Sequence, residues 1–246
     1  MAPELLISGL IILFSHFVGA ITAYGSTLLA LPMLVWVVND LPTCVQIILL
    51  VGIVQSYQIM LYTYRQVDWG QLRRMLTWAV IGLPLGYMSM RYLPKTPLLM
   101  GLGVIASAAG IYRLVDGTPN GSRVPPGWAL NLLLFAGGVI HGAFMAGGAT
   151  VVIYSQYMLP KKENFRATMC MFWVVLNTLL MSGHIAQKSI TWHAGKFALV
   201  GLPFLLVGSW LGELAARRIP QKRFTQLVSA MLVVAGISVI VKCLNT

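Results

Sequence analysis

The sequence predicts an all-α, polytopic membrane protein built from two inverted-topology repeats. Each repeat opens with a broken, re-entrant helix followed by three transmembrane helices. Three observations predict this. The 246 residues are 58% hydrophobic and only 9% charged, with a mean hydropathy of +0.80, whereas a water-soluble domain carries roughly a quarter charged residues. The apolar residues fall into eight long runs, and two of these runs are too long for one span and too short for two. The basic residues cluster between runs, in a pattern that orients the chain.

The composition excludes an ordinary soluble enzyme, a disordered chain and a soluble DNA-binding module. A net charge of +11, from 17 Lys and Arg against 6 Asp and Glu, suggests nucleic acid at first sight. Short basic clusters between apolar runs are instead the membrane pattern, so no nucleic-acid partner is expected and the lipid bilayer is. Cys44, Cys170 and Cys243 show no CxxC or Cys/His spacing, which argues against a disulfide framework, a zinc site or any other metal or cofactor.

A spanning helix needs about 20 apolar residues. The runs occupy 5–38, 44–64, 75–92, 98–114, 128–159, 167–187, 197–215 and 225–243. Turn-forming connections such as Asn39-Asp40-Leu41-Pro42 separate them, and the richest, 115–127, divides the chain near its middle. The domains read as a first repeat over 1–115, a linker over 116–127 and a second repeat over 128–246. The first run has no basic leader, carries Glu4 and outlasts a signal-peptide core, so it is expected to be retained as a membrane segment.

The oversized runs, 5–38 and 128–159, begin the two halves. Small and hydroxyl residues interrupt both: Gly19 through Thr27 in one, Gly142 through Thr150 in the other. Glycine lowers helix propensity and permits a backbone break, so each run reads as two half-helices meeting inside the membrane. If each broken run enters and leaves on one side, twelve basic residues become cytoplasmic: Arg65, Arg73, Arg74, Arg113, Arg123, Lys161, Lys162, Arg166, Arg217, Arg218, Lys222 and Arg223. Only Arg91, Lys95, Lys188, Lys196 and Lys242 remain outside. Eight single crossings would leave the two sides nearly equal, so the positive-inside rule favours re-entrant runs.

Three crossings per half, an odd number, turn the second half upside down. At an offset of 122 residues Gly25 falls on Gly147, Ser26 on Gly148 and Gln55 on Asn177. Gly82-Leu83-Pro84 resembles Gly201-Leu202-Pro203, and Leu93-Pro94-Lys95 resembles Ile219-Pro220-Gln221-Lys222, in the same order along both halves. Inverted repeats with broken helices are a recurrent plan of secondary transporters.

A small-residue break followed by an apolar stretch and Pro32, then Gly147-Gly148, Tyr154 and Phe165-Arg166-Ala167-Thr168 opening the next helix, resembles the TauE/SafE sulfite exporter family. The resemblance covers essentially the whole chain. It departs at the first break, where Gly25-Ser26-Thr27 stands in place of a run of glycines and adds two hydroxyls. The resemblance implies a permease for small anions, typically sulfur oxyanions or organosulfonates such as sulfite or sulfoacetate. Transport would be outward across a bacterial inner membrane.

The residues themselves offer an anion a site without a buried cation. Half-helix N-termini carry unpaired N–H groups and the positive end of the helix dipole. Gly25, Gly147 and Gly148 would let an oxyanion approach them, and Thr22, Ser26, Thr27 and Thr150 would add hydroxyls. Gln55 and Asn177, midway along the following helices, would add neutral amide donors. Neutral donors suit a site that must also release its cargo. The alternative for the small residues is close helix packing, and for the two amides interhelical hydrogen bonding.

His16, His141 and His184 lie in apolar runs, where they are either proton-coupling groups or hydrogen-bonded packing residues. Coupling to H⁺ or Na⁺, and assembly as a homo-oligomer, are both compatible with the sequence. Glu213 is placed to pair with Arg217 at i+4, and Arg166 either attracts anions at a helix mouth or marks the cytoplasmic side. Trp69, Trp78, Tyr92, Trp128 and Trp192 at run ends fit interfacial anchors.

The leading function is a secondary transporter in which the two halves rock around a site between the breaks. An intramembrane enzyme is disfavoured by the lack of an HExxH or GxSxG arrangement, Ser15-His16 and Ser182-Gly183-His184 not being flanked as nucleophile sites. A structural subunit of a membrane complex would not need two breaks. No Walker A sequence is present for an ATP-driven pump.

Overall fold

The computed structural model describes residues 2–89, 124–145 and 147–244, together with 100, 103–104, 107–108, 110–111 and 114–115. Arg91, Lys95, Arg113, Arg123, Tyr92 and most of the expected 98–114 span lie outside the described residues, as does the Leu93-Pro94-Lys95 match.

The described residues form helices and no strands: α1 (Ala2–Thr22), α2 (Ser26–Val38), α3 (Leu41–Thr63), α4 (Trp69–Ser89), α5 (Gly127–Phe144), α6 (Gly148–Met158), α7 (Lys162–Ala186), α8 (Trp192–Arg218) and α9 (Gln221–Leu244). Among them, four stretches are long and apolar enough to cross a membrane: Pro3–Thr22, Pro42–Gln66, Lys162–Ala186 and Trp192–Arg218. Leu29–Val38 and Gly127–Ala143 are apolar but shorter.

Local chemistry fixes the starts. The Asp40 carboxylate accepts from Thr43 N at 3.0 Å and Pro42 sits in the first turn of α3. Asp68 does the same for α4, accepting from Gln71 N at 3.0 Å. Thr191 caps α8 by accepting from Ala194 N at 3.2 Å. Gln46 then ties that cap to α3: its Oε1 accepts from Thr191 N at 2.9 Å, and its Nε2 donates to Ser189 O at 2.9 Å.

Both oversized runs are interrupted where small residues cluster. The first breaks at 23–25, with Ala23 at φ 61° and Gly25 at φ 87°. The second breaks at 145–147, with Met145 at φ 55°. The arms are unequal, which corrects the expectation of two half-helices. The leading arms have 21 and 18 residues and the returning arms 13 and 11. At 1.5 Å per residue the returning arms rise about 16–20 Å, short of a bilayer core of about 30 Å. The left-handed residues sit after a nearly complete first helix, and that is why the break is off-centre.

In each case the chain doubles back. A Cβ at Gly19 would lie 2.7 Å from Ser26 Cβ, and one at Gly137 would lie 2.7 Å from Thr150 Oγ1 and Val151 Cγ2.

The chain clusters into two compact units, Met1–Gln66 with Met169–Ile219 and Val67–Thr168 with Pro220–Thr246. Each therefore draws on both halves of the sequence. In the first, Ile11, Ile12, Leu34, Ile48, Phe197 and Leu205 share a buried core, and α1 packs along α8. Gly208 and Gly212 of α8 lie against the carbonyls of Leu13 and Phe17.

In the second, α4 packs along α5. Gly82 and Gly86 meet the carbonyls of Phe135 and Val139, while Gly138 and Gly142 meet those of Ala79 and Leu83. Small residues four apart let helix backbones touch in a medium that offers no hydrophobic drive. The pairing is reciprocal: the leading arm of each half lies on the proline-bearing helix of the other half, α8 with Pro203 and α4 with Pro84.

Candidate functional site

The first break is a capped C-terminus joined to an uncapped N-terminus. On the α1 side, donors meet carbonyls at the break: Ala23 N donates to Gly19 O at 2.7 Å. Thr22 Oγ1 lies 2.6 Å from Tyr24 O and 3.0 Å from Val18 O, and Trp173 Nε1 of α7 donates to Ala23 O at 3.0 Å. Those donors offset the negative end of the α1 dipole. On the α2 side Gly25 precedes the helix with no side-chain cap, so the first-turn N–H groups from Ser26 onward carry the positive end. The left-handed conformation of Gly25 is one that a Cβ disfavours by about 1–2 kcal/mol. Gly25 is buried, and Ser26 and Thr27 are partly exposed.

Gln55 and Asn177 both come to the first unit. Both are buried, at 6% and 5% exposure. One Gln55 amide hydrogen goes to His16 O at 2.6 Å, bracing α1 about two turns before the break. Its Oε1 lies 3.2 Å from a Cβ built at Gly19, the position that also touches Ser26. Asn177 Nδ2 lies 3.9 Å from a Cβ built at Gly52, one helical turn before Gln55 on α3.

The second break has the same parts. Gly147 precedes α6 without a side-chain cap, and Gly147, Gly148 and Thr150 are buried. Met145 N closes α5 by donating to His141 O at 2.8 Å. Thr150 Oγ1 donates to Gly147 O at 3.1 Å, so this hydroxyl's hydrogen serves the hairpin. Gly147 is there for contact: a Cβ would run into the Gly137 carbonyl and stand 2.8 Å from His141 Cβ.

The histidines occupy three different settings. His16 is fully buried, with Nδ1 2.9 Å from Ile12 O and 3.2 Å from Ser15 Oγ. His141 is buried in the last turn of α5. His184 lies near the end of α7, its Nδ1 2.7 Å from Ser189 Oγ.

Arg166 is in the second turn of α7 and only 6% exposed, buried rather than standing open at a helix mouth. Its neighbours explain the burial. Phe165 packs edge-on against Phe224 at 5.6 Å, and Thr168 Oγ1 accepts from Asp68 N at 3.0 Å. Tyr154 is fully buried and donates to Gln71 Oε1 at 2.6 Å. Residues of the motif from Tyr154 to Thr168 thus tie α6 and α7 to α4 and α9.

Trp173 is the residue that sequence reasoning missed. It lies one turn before Asn177, and an indole N–H within a membrane helix needs an acceptor; that was the available signal.

Interrupted helices beside helices of membrane length recur in membrane transporters, and the comparisons with known proteins give that class. The family model of the sulfite exporter TauE/SafE matches residues 8–239, and the chain belongs to that family. It is similar to the probable inner membrane transporter protein TsaS of Comamonas testosteroni, 27% identical over 180 residues that cover 71% of this chain and 73% of the relative. No solved structure matches the chain significantly. The protein is a transporter rather than an enzyme.

Proposed function

We propose that the protein exports a small anion, a sulfur oxyanion or organosulfonate, across the bacterial inner membrane by alternating access of two inverted repeats. The observation that carries this reading is the repeated break. Each half opens with a helix that stops at left-handed residues, and each restarts from a glycine that leaves the new N-terminus without a side-chain cap. Bare N–H groups at a positive dipole end favour an oxyanion, and Ser26 and Thr27 offer hydroxyls beside the first. The substrate class follows the family's description, and the inner membrane follows the name of the relative. The inverted arrangement is supported by the reciprocal packing of α1 on α8 and α5 on α4.

Two measurements test this. Proteoliposomes containing the purified protein are expected to move sulfite or sulfoacetate saturably, and chloride not at all. Sulfur-anion flux no greater than in protein-free liposomes would end the assignment. In a cysteine-free background, single cysteines placed in 39–43 and in 159–165 are expected to label from opposite faces of the membrane. Labelling of both from one face would contradict the inverted repeat.

A further inference from the structure

Glu213 stands apart from the other acidic residues. Among the described residues it is the acidic side chain that lies inside a helix beyond its first turn, in α8 well past Thr191. Its side chain is 12% exposed, and Arg217 Nε approaches Oε1 at 3.3 Å from a side chain 61% exposed. The pair matches the i+4 expectation, and Glu213 lies five residues before the end of α8 at Arg218, with a carboxylate that is itself largely buried.

Beside it, between α3 and α8, is a cavity of about 130 Å³ lined by Gln58, Tyr62, Ser209, Glu213 and Arg217 among others. Two buried polar atoms on its lining residues have no hydrogen-bond partner, Ser209 Oγ and Gln58 Oε1. Ser209 is 1% exposed. An amide oxygen can only accept and a carboxylate can only accept, so the lining offers oxygen ligands, and its positive group, Arg217, is on a mostly exposed side chain.

We propose that this cavity binds an alkali-metal cation, held by Gln58 Oε1, Ser209 Oγ and the Glu213 carboxylate, with Arg217 as the tethered charge that the ion displaces. The donor set fits that class. Its ligands are hard oxygens with a single negative charge, which balances a monovalent ion. Among the described residues no three His, Cys, Asp or Glu side chains group as a metal site, so the ligand count of a transition metal or a carboxylate-rich divalent site is not met. The volume leaves room for an ion that keeps part of its water shell. Arg217, four residues on and mostly exposed, neutralises the carboxylate when the ion is absent. As the seat of a coupling ion the site rests on the transport reading above; as a cation site it does not.

The test is thermal unfolding of the purified full chain without any transported anion, titrated with NaCl or KCl against N-methyl-D-glucamine chloride at constant ionic strength. Na⁺ or K⁺ is expected to raise Tm saturably, and N-methyl-D-glucamine is not. Ser209→Ala, which removes only an oxygen, is expected to raise the half-saturating concentration about tenfold, the loss of one ligand of ordinary strength. Glu213→Gln is expected to abolish the ion-specific shift, and Arg217→Ala to lower the half-saturating concentration. If Glu213→Gln does not fold, the opposite shifts of the other two variants decide. Equal Tm in all three salts, or Ser209→Ala and Arg217→Ala titrating as the native chain, would overturn the site. Because chloride is the anion in every arm and no sulfur anion is present, a failure here leaves the export reading standing, and a chain that exports nothing can still show the cation response.

Discussion

Gly147→Leu is expected to be among the most damaging substitutions at the described residues. Gly147 sits where α6 turns back against α5, and a Cβ there would run into the carbonyl of Gly137 and stand 2.8 Å from His141 Cβ. The first of these is backbone, which has no rotamer to change, so the hairpin itself must open. Overpacking against side chains typically costs about 1–3 kcal/mol, and four added heavy atoms facing backbone should exceed that range. Gly147→Ala already introduces the first clash and should lower Tm, while Gly147→Leu should leave little monodisperse protein and no anion flux. A Gly147→Leu protein with native Tm and native flux would place the substrate away from the second break.

The second large effect is expected at Gly25, where conformation matters more than bulk. Its backbone, φ 87° and ψ −11°, is left-handed, and there a β-branched side chain is a severe misfit while asparagine is tolerated. Gly25→Val is expected to cost about 2 kcal/mol or more, to shift the first N–H groups of α2, and to abolish flux. Gly25→Asn should keep most of the stability and measurable transport, although it adds a larger side chain. Comparing Tm and initial flux rates of the two variants separates strain from crowding. Similar behaviour of both would mean that the left-handed turn does not shape the site.

The breaks were legible because they follow from arithmetic on the chain: runs of excess length that also hold Gly, Ser and Thr. The Glu213–Arg217 contact was equally local, a matter of helical spacing. What could not be read was set by long-range packing. No periodicity says that α1 will lie on α8 or α5 on α4, since membrane helices choose partners by the fit of small residues on both faces. The unequal arms escaped notice because the left-handed residues include Ala23 and Met145, which sequence does not mark for that conformation.

The structure adds contacts at residues for which the sequence left two readings open. Gln55 was read as a substrate donor or an interhelical hydrogen-bonding residue, and one of its amide hydrogens holds the His16 carbonyl. Arg166 was read as attracting anions at a helix mouth or marking the cytoplasmic side, and it is buried, between two residues that pin α7 to its neighbours. Trp173 was invisible as long as the Ala23 carbonyl it covers was not known to be free.

The central claim is that a negatively charged solute binds at the N-termini of the returning arms. The most direct measurement is an experimental structure of the protein with selenite, whose selenium gives an anomalous signal that locates the ion. The account predicts a selenium peak within hydrogen-bonding distance of the first-turn N–H groups of α2 or α6, beside Ser26 or Gly148, that weakens when excess sulfite is added. A competed selenium peak elsewhere, with both first turns empty, would contradict it.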